Sequence, residues 1–246
     1  MRNFAGKRYW LVGASEGLGL ALAQILNRAG AEVILSARSA EGLDRALETL
    51  PGRANAMVVD VASSASVRAA AAAIGPVDGV VFLAGVYWPT SAQDWNPDQV
   101  EAMCDVNFTG CARVVGAVLP AMLARGHGHL VITGSLSGFR GLPGAIGYAA
   151  SKAGVMVLAE SLYADLRRTD IDVQLANPGF IRTRLTEKND FAMPFLMEAD
   201  EAARAMFEHM TTDRFKVSFP GVFSWLFRGG NFLPDWLYYR MFPPKV

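Results

Sequence analysis

Short apolar runs alternate with helical patterns through the first two-thirds of the chain. Arg8 to Val12 reads as a strand that runs into glycines. From Gly17 to Ala29, Leu18, Ala21, Leu22, Ile25 and Leu26 recur at helical spacing and share one face. Gly30 stops that helix. Glu32–Ala37 is a second strand, followed by a helix from about Glu41 to Leu50 and a strand over Ala54–Val59. A helix over Ser63–Ile74 carries five consecutive alanines, and Asp78–Leu83 is the fourth strand. A long helical stretch runs from Asp98 to about Ala124, broken near Asn107 and Gly110. Leu130–Thr133 as a strand, Gly147–Arg168 as a helix and Asp172–Leu175 as a strand complete the pattern. The strands are near-continuous hydrophobic runs, as double burial requires, so the alternation predicts a parallel sheet covered on both faces. No internal repeat or Ser/Gly linker interrupts it, which points to one domain over residues 1–246.

The C-terminal segment is different. From Arg214 to Val246 there are five basic residues and one acidic residue, with ten of the chain's 25 aromatics. Phe215–Phe219 reads as a last edge strand. The extension at about 221–246 reads as two short amphipathic helices broken at Gly229 and Gly230. Its aromatic and basic residues interleave, so it either folds back over a substrate loop or a partner subunit, or lies on a membrane surface.

The 246 residues are 52% hydrophobic and 19% charged, enough for a sizeable core and against wholesale disorder. Lys plus Arg equals Asp plus Glu at 23 each, so bulk charge gives no basis for nucleic-acid binding. Cys104 and Cys111 lie two turns apart on one predicted helix, roughly 10 Å and too far for a disulfide. A reducing compartment fits. No secretory leader and no run of about 18 apolar residues is apparent. The chain is therefore expected to be cytoplasmic, or membrane-associated only through its tail. His127 and His129 read as turn residues and His209 as a helix-surface residue, with too few ligands for a metal site.

Candidate chemistry begins after the first strand, in Gly13-Ala14-Ser15-Glu16-Gly17-Leu18-Gly19. A GxxxGxG loop lets the backbone approach a pyrophosphate, and the following helix N-terminus offers free N–H groups and positive potential. The second strand ends in Ser36-Ala37-Arg38. An acidic residue there would accept from a ribose 2′-hydroxyl, whereas Arg38 offers a cationic fork suited to a 2′-phosphate. Glu16 argues the other way, because it adds negative charge nearby. NADP(H) is therefore preferred, with NAD(H) the second choice. Farther on, Tyr148 and Lys152 are four apart at a helix start and face the same way. An ammonium beside a phenol favours phenolate, which predicts a Tyr148 pKa lowered from about 10 and a usable general acid or base. Ser135 lies upstream at a strand end, and Asn107 lies at the helix break, where a polar side chain can hold a water or a backbone carbonyl.

Together GxxxGxG, Asn107, Ser135, Tyr148-x-x-x-Lys152 and Pro178-Gly179 make the chain resemble the short-chain dehydrogenase/reductase family over roughly residues 6 to 185. The resemblance implies a three-layer α/β/α Rossmann-like fold around a doubly wound, mostly parallel seven-stranded sheet. It implies that Tyr148 donates the proton to a carbonyl oxygen and that Lys152 lowers its pKa and holds the nicotinamide ribose. Ser135 would polarise the carbonyl, and Asn107 would anchor a water-linked relay to Lys152. Asp60 and Val61 match the adenine-contacting pair, and Ala84-Gly85 the turn after the fourth strand. Pro178, Gly179, Ile181 and Thr183 match the segment that packs on the nicotinamide. Val12 and Leu83 depart from the usual Thr and Asn. The family's final Asp-Gly-Gly strand is missing, so a homodimer through the helices Asp98–Ala124 and Gly147–Arg168 is expected before a tetramer.

Substrate walls would come from Tyr87-Trp88, from Phe139 with Leu142 and Ile146, and from Phe191 to Met197, with Thr186–Met197 as a mobile lid. No Arg or Lys is obviously poised for a carboxylate, with Arg140 and Arg182 the candidates. These walls suggest an apolar ketone, aldehyde or secondary alcohol exchanging hydride with NADP(H). The alternatives are a catalytically silent nucleotide-binding scaffold or sensor, an NAD-linked alcohol dehydrogenase, and an epimerase or dehydratase on a related fold.

Overall fold

The computed structural model describes residues 2–188, 190 and 193–242. Seven parallel strands form one sheet in the order β3-β2-β1-β4-β5-β6-β7. They are β1 Arg8–Val12, β2 Glu32–Ala37, β3 Ala54–Val58, β4 Gly79–Phe82, β5 Gly128–Thr133, β6 Ile171–Pro178 and β7 Lys216–Phe219. The helices are α1 Gly17–Arg28, α2 Ala40–Leu47, α3 Ser64–Ile74, α4 Pro97–Met103, α5 Gly110–Arg125, α6 Ile146–Leu166, α7 Ala199–Met210, α8 Gly221–Gly230 and α9 Asp235–Met241.

Alternate residues of each central strand enter separate cores, which is why the strands read as unbroken apolar runs. Trp10, Val12, Val80, Phe82, Leu130 and Ile132 meet Val67 of α3, Val114 of α5 and Met156 of α6. Tyr9, Leu11, Val33, Leu35, Val81 and Val131 meet Leu22 of α1, Leu43 of α2 and Met206 of α7. Strand order reverses between β1 and β4, which opens a crevice beyond their carboxyl ends. There the strand ends nearly touch. A Cβ on Gly13, at φ +92°, would lie 2.5 Å from the Ala84 nitrogen, so only glycine fits.

The predicted break in the long helix is a π-helical turn, Cys104–Thr109, between α4 and α5. The helix is otherwise continuous over Pro97–Arg125, 29 residues in which one 18-residue window reaches a mean hydropathy of 1.4. By length and composition alone that helix could cross a membrane, although no run of about 18 apolar residues occurs in it. Here the helix is a core layer, with Met103, Cys111, Val114 and Met122 buried. Both cysteines are free.

Two histidine assignments are also corrected. His129 lies within β5, not in a turn, and is 3% exposed. It contacts the Tyr9 hydroxyl at 2.9 Å and Gln174 at 2.8 Å. Burial pushes its pKa down to about 3. His209 is buried on the inner face of α7, and desolvation lowers it to about 4. Among the described residues no group of three or more His, Cys, Asp or Glu could hold a metal.

The C-terminal segment folds back as a helical pair. Phe223 and Phe227 of α8 pack on Leu136, with Phe139, Leu142 and Phe180 alongside. Arg140 donates to Gly230 O at 2.7 Å and Leu233 O at 2.8 Å, pairs with Asp235, and stacks 4.2 Å over the Tyr238 ring. The helix runs through Gly229 and Gly230, and the break falls after them.

Candidate active site

A cavity of about 330 Å³ runs along the carboxyl ends of the strands. Its floor at one end is the turn from β1 into α1. Glu16 stands at the N-cap of α1 without a side-chain cap bond, so no side chain competes for the first N–H groups of the helix. The backbone is exceptionally close here. A Cβ on Gly19 would lie 2.1 Å from Gly13 O. Gly17 takes φ +55°, and a Cβ there would lie 3.0 Å from Thr183 Cγ2. Arg38 and Asp60 line the cavity at the ends of β2 and β3, with Ser15, Leu18 and Val61. Ala84 and Gly85 line it after β4, and Pro178, Gly179, Ile181 and Thr183 after β6. Glu16 does not stand as a free charge, because Arg184 Nε lies 3.2 Å from its carboxylate. The wall holds three cationic side chains, Arg38, Lys152 and Arg184, against the carboxylates of Glu16 and Asp60. Arg184 carries no motif signature in the sequence and is legible only from this pairing.

Ser135, Tyr148 and Lys152 converge at the other end. The Ser135 hydroxyl oxygen accepts from Ser137 N at 3.1 Å, and the hydroxyl hydrogen-bonds the Tyr148 phenol. Tyr148 faces the cavity from the first turn of α6, with the Tyr87 ring edge-on at 5.1 Å. Lys152, one turn on, is 4% exposed and donates to Thr133 O at 2.9 Å. Its nitrogen is 5.8 Å from the Tyr148 ring centre.

The electrostatics overturn one expectation. Burial pushes the Tyr148 phenol up to about 12, with a Ser135 hydrogen bond opposing and Tyr87 adding to the rise. Burial pushes Lys152 down to about 8, with Cys111 opposing. Desolvation therefore outweighs the ammonium–phenol attraction invoked from the spacing, and Tyr148 keeps its proton at pH 7.

Asn107 is the one residue of the predicted catalytic and cofactor set outside the cavity wall, and the predicted substrate-wall residues Tyr87, Trp88, Phe139, Leu142 and Ile146 do not line it either. Asn107 is fully buried in the π-helical turn. Its Oδ1 accepts from Val86 N at 2.8 Å, and its Nδ2 donates to Val86 O at 3.0 Å and Ser151 Oγ at 3.0 Å. It pins the loop after β4 to the helix carrying Lys152, so its side chain positions the site from behind. The extra residue per turn rotates it toward that loop. Ser151 is a partner the sequence reading missed, since nothing in a small polar residue between Tyr148 and Lys152 signals it.

Other expectations resolve unevenly. Arg140 and Arg182 are both engaged, the first with the α8–α9 pair and the second with Glu198 at 2.7 Å. Neither is poised for a substrate carboxylate. Of the predicted lid and its wall, Asn189, Phe191 and Ala192 lie outside the described residues. Lys188 ties the described part to the loop after β4, donating to Tyr87 O at 2.8 Å and lying 4.3 Å from the Trp88 ring centre.

Comparison with known proteins gives consistent similarities. A profile described as short chain dehydrogenase matches residues 7–193. An "uncharacterized oxidoreductase" of Myxococcus xanthus is 39% identical over 236 residues, 93% of each chain. The 1-deoxy-11-beta-hydroxypentalenate dehydrogenase of Streptomyces avermitilis is 34% identical over 221 residues, 84% of this chain and 82% of that one. An actinorhodin polyketide ketoreductase variant crystallised with NADPH superposes with a TM-score of 0.81 at 27% identity, over 89% of this chain and 97% of that one.

Proposed function

The chain belongs to the short-chain dehydrogenase family and is an oxidoreductase, and from that premise we propose that it moves a hydride between NADP(H) and an apolar ketone, aldehyde or secondary alcohol. The observation that carries this reading is one cavity with Arg38 and the uncapped α1 N-terminus at one end and Ser135, Tyr148 and Lys152 at the other.

The residues fit a phosphorylated dinucleotide. The α1 N-terminus suits a pyrophosphate, and Arg38 supplies a planar fork for a 2′-phosphate. The pairing of Glu16 with Arg184 removes the objection that Glu16 repels such a phosphate. The bound nicotinamide supplies or accepts the hydride. Ser135 donates to the carbonyl oxygen and orients it. Tyr148, neutral at pH 7, gives its proton to that oxygen in reduction and takes it back in oxidation. Lys152, charged below about pH 8, stabilises the phenolate left behind. Apolar substrate preference is supported by Tyr87 against Tyr148 and by the Leu136–Phe139 cluster beside Ser135.

The test is titration with NADPH and NADH, followed by intrinsic fluorescence, in the natural protein and in Arg38→Ala. The expected result is tighter NADPH binding, and a loss of about tenfold to a hundredfold for NADPH alone in the variant, as for one or two charge-assisted hydrogen bonds. Equal losses for both nucleotides would make Arg38 a bystander and end the NADP assignment.

A further inference from the structure

We propose that the α8–α9 pair docks the protein on an anionic lipid surface. The pair has two faces. Inward, Phe223 and Phe227 are buried on Leu136, and Arg140 fastens α9 through Gly230, Leu233 and Asp235. It is therefore a seated element, not a fraying end. Outward, Val222, Trp225 and Leu226 recur at helical spacing on the side of α8 away from Phe223 and Phe227, all exposed. Trp225 is 69% exposed, Trp236 on α9 is 70% exposed, and Phe232 in the turn between the helices is 90% exposed. A solvated surface has no need of three such large rings on one small element.

The charge identifies the partner. Arg228 lies with its guanidinium 5.1 Å from the Trp225 ring centre, and Arg240 follows Tyr239 on α9. Neither makes an ion pair among the described residues, while the acidic residue of the pair, Asp235, is held by Arg140. An outward face of aromatics and unpaired arginines matches the headgroup region of an anionic bilayer, where rings sit at the interface and guanidinium groups meet phosphates. A second copy of the chain fits less well. A twofold contact through this face would bring two basic faces together, with the one carboxylate of each pair, Asp235, already held by Arg140. The inner face of α8 abuts Leu136, next to Ser135, so docking places the reacting end of the cavity about one helix diameter, roughly 10 Å, from lipid.

Flotation of the full chain with vesicles tests this. We compare phosphatidylcholine alone with phosphatidylcholine containing about 30% phosphatidylglycerol, at about 0.1 M and 0.5 M salt. The protein should float with the anionic vesicles at low salt, at least about tenfold more than with neutral vesicles or at high salt. Arg228→Glu with Arg240→Glu, and Trp225→Ser with Phe232→Ser and Trp236→Ser, should each lower that partitioning more than about tenfold while NADPH binding persists. Quenching of tryptophan fluorescence by brominated lipid in the natural protein gives a readout independent of any variant. The proposal fails if the natural protein neither floats nor is quenched, or if both variants float as it does. It also fails if the aromatic variant changes only the oligomeric mass, because the face is then a contact between copies.

Discussion

Lys152→Met should abolish turnover and yet make the protein more stable at neutral pH. Lys152 is 4% exposed, and burial lowers its pKa from 10.5 to about 8. The unfolded chain therefore holds that proton more tightly than the folded one. Between about pH 8 and 10.5 the unfolded state binds more protons, so stability rises with pH across that window. Below about pH 8 the lysine is charged in both states, and the folded protein bears the whole penalty of burying the ammonium. At 1.36 kcal/mol per pH unit, the fall to about 8 corresponds to about 3 kcal/mol. Methionine keeps the length and apolar stem and removes the charge. It leaves Thr133 O without its donor, which returns about 1 kcal/mol. The expected gain is about 2 kcal/mol at pH 7, or about 4–8 °C in Tm for a chain of this size. The gain should shrink through pH 8–10 and reverse sign above 10.5, where natural Lys152 is neutral in both states. Thermal unfolding of both proteins without nucleotide, at pH 7 and pH 10, measures it. A variant less stable at pH 7, or a difference that ignores pH, would refute the claim that the site keeps a desolvated cation at the expense of stability.

Three further tests concern the reacting groups and the glycine turn. Tyr148→Phe should lower kcat for reduction by about a thousandfold or more with NADPH affinity nearly unchanged, and retained turnover would remove Tyr148 as proton donor. With the phenol pushed up to about 12 and Lys152 down to about 8, reduction in the natural protein should be flat up to about pH 8 and fall above it as the ammonium is lost. A limb falling below neutrality would point to another group. Gly19→Ala should destabilise by about 3 kcal/mol, since its Cβ would meet Gly13 O at 2.1 Å and Ala14 Cα at 2.8 Å, both backbone. Gly116→Ala, on α5 with nothing within 4 Å, should be neutral or mildly stabilising, and equal thermal shifts in the two would contradict the packing argument.

The fold is legible because its periodicities are strong. The strand Glu32–Ala37 appears with the predicted bounds, and the order of strands and helices through β6 follows the apolar runs. What escapes is local and cooperative. The helix α7 has small residues, Ala202 and Ala203, where a larger apolar stripe would announce it, and these let it approach α1 closely. His209 on that helix therefore reads as surface, although it packs inward. His129 is misplaced by its neighbours Gly128 and His127, which look like a turn. Its burial depends on Tyr9 and Gln174, 120 and 45 residues away.

At the site, spacing and solvation carry different information. The spacing of Tyr148 and Lys152 places both side chains on one face of α6, and the structure has them there. Spacing says nothing of how much water each group loses, and that loss fixes the protonation states. In water the ammonium would lower the pKa of the phenol. Within this cavity the charged form of each partner is penalised separately, so the stable pair at neutral pH is a protonated phenol beside a cation close to losing its proton. Such a pair carries at neutral pH the proton that the proposed reduction would consume. The reverse direction requires Tyr148 to shed its proton first, and the nearest cation able to support that loss is Lys152, held by Thr133 O at the end of β5. The carbonyl of β5 thus fixes where the ammonium stands. Asn107 fixes the loop facing it through Val86 and fixes α6 through Ser151, so the reacting end is framed by hydrogen bonds from three elements whose partners, Thr133, Val86 and Ser151, no motif names.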